Sequence, residues 1–378
     1  MAKILMKGNE AFGRAAIEAG CRYFFGYPIT PQNELPEYMS RELPKIGGSF
    51  VQAESEVSAI NMIYGAAGAG ARVMTSSSSP GIALKQEGIT YAAGAELPCV
   101  IINVMRGGPG LGGIQPSQSD YYMSTRGGGN GDYRTPVFAP ATVQEAVDMI
   151  MEAFNVADYY RTPVMVVADG MIGQMMEPVE FKAPKTRELP PKDWATTGTK
   201  GKRKHNIINS LYLQPDELER HCINLDKKYR EIEKNEVDYE MYKTEDAEIV
   251  FVAYGTTSRI VKNSIDILRE EGIKAGLIRP KTLWPFPNKA FTKIPNAKNL
   301  LTVEMSMGQM VEDVKLAVEC KLPVHFYGRC GGMIPDPESI ANKAREIVES
   351  TVKIGNIVDN IKLGINLNEE SVSTGGAI

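Results

Sequence analysis

The sequence predicts an α/β protein built on parallel sheets, and two observations carry that prediction. Short apolar runs alternate with helical patterns through the first half, and after a charged interruption the alternation resumes. Strands crossed by covering helices produce this rhythm. The 378 residues allow two such domains or three.

In order, the strand candidates of the first half are YFFGYPI, GSFVQA, RVMTSS, CVIINVM, TPVFAP and TPVMVVAD. Each is a short apolar run bounded by turn residues, as expected of buried strands. Helical patterns lie between them at about 8–18, 56–70, 82–95 and 142–160. The stretch 171–247 breaks the rhythm with Pro, Lys and acidic residues, and QPDELERHCINLDKKYREIEKN reads as a charged surface helix. AEIVFVAYG, KAGLIRP, NLLTVEM and LPVHFYG then read as four more strands, with helices at about 257–271, 308–319 and 337–352. The expected organisation is a first domain over 1–185, a charged linker with a surface helix over 186–246, a smaller α/β domain over 247–360, and a frayed polar tail over 361–378.

Composition excludes several functions. The formal charge of −4 comes from 42 basic and 46 acidic residues that are well mixed. That leaves no electrostatic footprint for nucleic acid and no basic patch for a membrane. No apolar run approaches the roughly 18–20 residues that span a bilayer. MAKILMKGNEAFG has too short an apolar core for a signal peptide, so a cytoplasmic location is expected. The five cysteines form no CxxC pair and the three histidines are scattered, which gives no zinc site and no iron–sulfur ligand run. Cys99, inside LPCVIINVM, reads as a small buried hydrophobe.

Ligands of parallel α/β sheets sit beyond the carboxyl ends of the strands. Four loops there are unusual: YPITPQNE (27–34), AESE (53–56), TSSSSPG (75–81) and a segment over 105–134 with nine glycines. Pro28 and Pro31 stiffen the first and suit it to placing the Thr30 hydroxyl, although Thr30 also fits as an ordinary turn residue. Ser79 reads as an N-cap and Pro80 as a first-turn proline, leaving backbone N–H groups for an anion or forming a plain turn. The serines lack a histidine base and a G-x-S-x-G elbow. GGPGLGG does not follow G-x-G-x-x-G, and no Walker A lysine is present. A loop this long in a compact domain is more often functional than idle. Arg106, at its start, can grip a carboxylate with a bidentate fork or form a surface ion pair.

YPITPQNE, QAESEVSAINMIYGAAGAGARVMTSSSSPG and NVMRGGPGLGGIQPSQSD together resemble the α subunit of the thiamine diphosphate-dependent 2-oxoacid:ferredoxin oxidoreductases. The resemblance extends to GGGNGDYR, APATVQEA and GMIGQMMEPVEF, and covers nearly the whole chain. PQNELPEYMS, SSSSPGIALKQEG and GQMMEP look most like the branched-chain (2-oxoisovalerate) members. The resemblance implies a pyrimidine-binding-type parallel-sheet domain followed by a smaller domain like the transketolase C-terminal domain. It implies that Glu56 contacts N1′ of the cofactor's aminopyrimidine and shares a proton with it. Pro28 and Ile29 are placed beside the cofactor, and Thr30 and Arg106 at the 2-oxoacid carboxylate and carbonyl. It implies CoA-dependent oxidative decarboxylation of a branched-chain 2-oxoacid with reduction of ferredoxin.

The chain has no GDG motif; GDY at 131–133 is the nearest, and it lies in the glycine loop. The resemblance therefore implies a β subunit that carries the diphosphate and Mg²⁺ half of the site, with γ and ferredoxin-like δ subunits that carry iron–sulfur clusters. No metal ligand is assigned to this chain. The alternatives are a 2-oxoglutarate or pyruvate enzyme subunit, a lipoamide-linked dehydrogenase subunit, and a non-catalytic scaffold. Glu54, two residues before Glu56, reads as a helper or a surface acid.

Overall fold

The computed structural model describes residues 3–182 and 187–362. The strands are β1 (Ile4–Lys7), β2 (Tyr23–Gly26), β3 (Ser49–Gln52), β4 (Val73–Ser77), β5 (Cys99–Met105), β6 (Val137–Phe138), β7 (Pro163–Asp169), β8 (Met176–Val179), β9 (Tyr239–Tyr242), β10 (Ile249–Val252), β11 (Ala275–Pro280), β12 (Thr282–Trp284), β13 (Asn299–Glu304) and β14 (Val324–Gly328). The α-helices are α1 (Gly8–Glu18), α2 (Glu34–Glu42), α3 (Glu56–Gly68), α4 (Ser79–Gly94), α5 (Tyr121–Thr125), α6 (Val143–Tyr160), α7 (Gly170–Gln174), α8 (Pro215–Asn235), α9 (Gly255–Glu270), α10 (Met310–Ala317) and α11 (Pro337–Lys362).

The large sheet runs β12-β6-β7-β5-β4-β2-β3. Six of its strands are parallel, and β12 closes one edge antiparallel to β6. β4, β5 and β7 are buried along their whole length, which is why they read as unbroken apolar runs in sequence. The second sheet runs β14-β13-β10-β11-β9, with β9 antiparallel to β11. The strand TLW thus comes from the later part of the chain yet completes the first sheet. β1 and β8 form a separate antiparallel pair. The 185/186 boundary falls outside the described residues, and so does the tail from 363 onward.

Several elements differ from the expectation. β9 lies inside the stretch expected to be linker, and its YEMY run belongs to a sheet edge. The charged helix α8 is amphipathic: Leu225, Tyr229 and Ile232 are buried against the first domain. Its charged face dominates the composition and hides this stripe.

The PSQSD part of the glycine-rich segment latches the two sheets together. Gln118 is fully buried. Its Nε2 donates to Tyr254 O at 2.9 Å, and its Oε1 accepts from Thr257 Oγ1 at 2.7 Å and from Met305 N at 3.0 Å. Tyr121 Oη donates to Asp313 at 2.6 Å beside it. Replacing Gln118 with leucine strands two buried donors at about 1–3 kcal/mol each. We expect a stability loss of roughly 3 kcal/mol, read as a lower melting temperature. A melting temperature unchanged from wild type would show that the two sheets are held together by other contacts.

Candidate active site

In the parallel sheet, β5, β4, β2 and β3 are neighbours in that order. Their carboxyl ends therefore face the same edge, which brings the four unusual loops together.

The turn 27–34 leaves β2 and is clamped at Pro31. Its carbonyl accepts from Asn9 Nδ2 at 2.8 Å and Gln174 Nε2 at 2.9 Å, and Gln32 N–H bonds back to Ile29 O. Prolines alone do not set this turn; two amides from α1 and α7 hold it. Pro28 and Thr30 are exposed and Ile29 is partly buried, as a ligand-facing turn requires. Gln32 is fully buried, and its Oε1 accepts from Ser76 Oγ at 2.5 Å.

Glu56 is the first residue of α3, after the N-cap Ser55, whose hydroxyl accepts from Ser58 N. A carboxylate here is favoured by the helix dipole. Glu56 is only 7% exposed, and its carboxylate accepts no hydrogen bond among the described residues. Glu54 behaves differently. It is exposed and accepts from the Ser58 hydroxyl, which holds its carboxyl below the usual range. The acidic pair thus separates into one buried acid and one surface acid.

α4 supplies the floor beneath Glu56. A Cβ on Gly81 would come within 2.7 Å of Glu56 Oε1 and would collide with Ser77 Oγ. The glycine is therefore required by the approach of the carboxylate. The cap of α4 is Ser78, one residue earlier than expected, with Ser79 and Pro80 opening the first turn. Its N–H groups are not free for an anion: Ser79 N donates to Asn103 Oδ1 at 3.1 Å and Gly81 N to Ser78 O at 2.7 Å. Substituting alanine for Gly81 should push the Glu56 carboxylate aside. Misplacements on this scale cost up to about 100-fold. We expect calorimetric titration to show thiamine diphosphate affinity at least about tenfold weaker; wild-type affinity would mean that the carboxylate position is not critical.

Arg106 follows β5 and is 6% exposed. Its Nη1 donates to Thr30 O at 2.8 Å and its Nη2 to Leu111 O at 3.1 Å. It is not a surface ion pair: it ties the first turn to the tip of the glycine loop. Thr30 and Arg106, 76 residues apart, are in direct contact. Behind them Ser79 Oγ donates to Asp120 at 2.6 Å, and Asn103 Nδ2 donates to the same carboxylate at 2.9 Å. Burial raises the proton affinity of Asp120, and these two bonds oppose it.

Packing of the chain on itself explains some of the glycines of the long loop. A Cβ on Gly128 would come within 2.7 Å of Gln86 and one on Gly129 within 2.7 Å of Thr90, both on α4, whereas one on Gly107 would make ordinary contact, 3.5 Å from the Gly331–Gly332 backbone. Sequence reasoning missed Gln32, Lys85, Asn103 and Asp120. The one available signal was a lysine directly after the small and apolar run SPGIAL.

The polar atoms left over describe what the site can hold. Gln32 Nε2, Ser77 Oγ, Ser78 Oγ and Arg106 Nε are buried without a partner, in a fold where such atoms are normally satisfied. Together with the Glu56 carboxylate they fit a heterocycle that carries ring nitrogen and an amino group, which is the chemistry of an aminopyrimidine. A cavity of about 660 Å³ lies elsewhere, against α6, lined by Glu145, Asp148, Glu152, Arg187 and Glu236. It shares no residue with this site. No group of three or more metal-ligating side chains occurs among the described residues.

Residues 14–250 match the family described as pyruvate flavodoxin/ferredoxin oxidoreductase, thiamine diphosphate-binding, and 247–340 match pyruvate:ferredoxin oxidoreductase core domain II. The chain belongs to the 2-oxoacid:ferredoxin oxidoreductase family. It is 50% identical over 348 residues to ketoisovalerate oxidoreductase subunit VorB of Methanothermobacter marburgensis, covering 92% of this chain and 98% of that one. It is 37% identical to 2-oxoglutarate synthase subunit KorA of Methanocaldococcus jannaschii, over 89% of this chain and 97% of that one.

Among solved structures, 2-oxoglutarate:ferredoxin oxidoreductase from Magnetococcus marinus, with 2-oxoglutarate, coenzyme A and succinyl-CoA bound, matches with a TM-score of 0.80 and 27% identity. The match covers 91% of this chain but 65% of that one. A split-gene transketolase, matched at a TM-score of 0.54 and 14% identity, shares the fold. Like its family, the chain is an oxidoreductase subunit with a thiamine diphosphate-binding domain. No helix among the described residues is long and apolar enough to cross a membrane.

Proposed function

We propose that this chain carries the aminopyrimidine half of a thiamine diphosphate site in an enzyme that oxidatively decarboxylates 2-oxoisovalerate. Coenzyme A takes the acyl group and ferredoxin the electrons. The observation that carries this reading is the convergence of Glu56, Thr30 and Arg106 at one sheet edge, with Glu56 buried and without a hydrogen-bond partner among the described residues. When bound, thiamine diphosphate supplies a carbon nucleophile and an electron sink.

The chain's own residues then have distinct tasks. Glu56 would share a proton with a ring nitrogen of the bound aminopyrimidine and so would set the tautomer of the ring. The turn at Pro28 and Ile29 would pack against the cofactor, with Pro31 clamped behind it. Arg106 is charged, nearly buried and free of a carboxylate partner, which suits it to orient a 2-oxoacid carboxylate. Thr30, held by Arg106 through its carbonyl, would offer its hydroxyl to the same substrate.

Hard Mg²⁺ seeks carboxylate and carbonyl oxygens beside the phosphates, and the chain has no GDG motif to supply those oxygens at the diphosphate. We assign the diphosphate and Mg²⁺ to a β subunit, and the iron–sulfur clusters to a ferredoxin-like δ subunit alongside a γ subunit. The preference for 2-oxoisovalerate is supported by the 50% identity with the ketoisovalerate subunit, against 37% for the 2-oxoglutarate one. The test is to co-express the chain with its neighbouring subunits and follow viologen reduction on a panel of 2-oxoacids with coenzyme A. Branched-chain acids should give the highest kcat/KM; a preference for 2-oxoglutarate or pyruvate would overturn the substrate assignment.

A further inference from the structure

Arg106 is held at both ends. Its guanidinium rests on Thr30 O and Leu111 O, and Nε is the guanidinium nitrogen left buried without a partner among the described residues. At the other end its backbone N–H donates to Ser79 Oγ at 2.9 Å. Ser79 is the first residue of α4.

The Ser79 hydroxyl has one proton and two acceptors in reach, Asp120 Oδ2 at 2.6 Å and Arg106 O at 3.1 Å. A carboxylate makes the shorter and stronger bond, so the proton goes to Asp120. The lone pairs of Ser79 Oγ are then free to accept Arg106 N–H. Asn103, on β5, closes a triangle behind this pair. Its Nδ2 donates to the same Asp120 oxygen at 2.9 Å, and its Oδ1 accepts from Ser79 N at 3.1 Å. All three side chains are buried, Asn103 completely. α4, β5 and the segment leading into α5 are thereby fixed against one another where Arg106 follows β5.

Asp120 stands immediately before α5, where an aspartate ordinarily caps a helix. Its side chain makes no capping bond to α5 and turns to Ser79 and Asn103 instead. Asp169, in the same position before α7, does cap, accepting from Met171 N and Ile172 N. A buried carboxylate is costly unless hydrogen bonds compensate it. Both bonds that compensate Asp120 come from the network around Arg106, and none comes from its own helix.

We propose that Asp120 is a positioning residue for Arg106: through Ser79 it fixes the Arg106 backbone, and with it the guanidinium that orients the 2-oxoacid carboxylate. This rests on the substrate role given to Arg106 above. The PSQSD segment then has two separate duties. Gln118 latches the two sheets, and Asp120, two residues on, sets the arginine.

Positioning and stabilisation differ in what their loss changes. A shifted guanidinium weakens recognition of the 2-oxoacid and leaves the cofactor half of the site as it was. Misplacement by about 1 Å costs up to about 100-fold. A loss that passes through Arg106 disappears once the guanidinium is gone, whereas independent damage adds.

The experiment follows viologen reduction by the assembled complex at one pH, with saturating thiamine diphosphate, Mg²⁺ and coenzyme A. The varied 2-oxoacid is the best substrate of the panel above, and the proteins are wild type, D120A, D120N, R106A and D120A/R106A. We expect D120A to lower kcat/KM by about 10- to 100-fold, mainly through KM. In the R106A background it should cost less than about twofold more. D120N should recover most of the loss, because its carbonyl oxygen can accept both bonds that now meet on Oδ2. By calorimetric titration, D120A should bind thiamine diphosphate within about threefold of wild type.

D120A indistinguishable from wild type, equal losses from it in both backgrounds, a D120N no better than D120A, or a matching loss of cofactor affinity each overturns the proposal while the role of Arg106 stands. If R106A itself keeps the wild-type kcat/KM, the role of Arg106 fails and this proposal with it. Should D120A not assemble, S79A and S79A/R106A are judged by the same criteria. Failure of both D120A and S79A to assemble would show that the network only holds the fold, and overturns the proposal.

Discussion

Glu56→Gln should assemble normally and lose about 10²- to 10⁴-fold in ferredoxin or viologen reduction at saturating cofactor, the range for removing a positioned acid–base group. The substitution keeps the shape of the side chain. No hydrogen bond among the described residues depends on the carboxylate, and its interaction with the α3 dipole is worth about 0.3–1 kcal/mol. Glutamine can still contact N1′, but it cannot exchange a proton with it. Loss of rate with retained assembly is therefore the signature of a proton role. Rates near wild type would sink that role.

Arg106→Ala should lower kcat/KM for the 2-oxoacid by about 10²- to 10³-fold, the cost of deleting one preorganised donor. Thiamine diphosphate affinity should change far less. Arg106 also holds Thr30 O and Leu111 O, so part of the loss will come from a loosened turn and loop tip. Arg106→Lys separates the two contributions. It keeps the charge but cannot span both carbonyls with a planar fork. We expect it to fall between wild type and alanine. Equal losses in cofactor and substrate binding for Arg106→Ala would show that its role is structural rather than substrate-directed.

Much of this site was legible because its signals are local. YPITP, AESE, TSSSSPG and the glycine loop each follow an apolar run, and each of those runs became a parallel strand. The placement of Glu56 at a helix start needs only the neighbouring strand and a small-residue helix. The cap of α4 was misjudged by one residue because four successive serines all satisfy the chemistry of a cap, and only backbone geometry selects Ser78. The linker expectation missed β9 because four half-buried residues at a sheet edge carry too little apolar signal to stand out.

By itself the sequence determined the α/β class, the four loops, the acid at the start of α3 and the family. These follow from patterns spanning a few residues or from motifs read in one stretch. Tertiary structure alone decided that β5, β4, β2 and β3 are neighbours, which turns four separate loops into one site. It also decided that Gln118 joins two sheets through residues up to 187 positions away, and that Lys85 is buried against Thr75 and Ser76 of β4 rather than in solvent. Burial and pairing across such separations depend on which faces the folded chain presses together, and a charge has no fixed role until its surroundings are set.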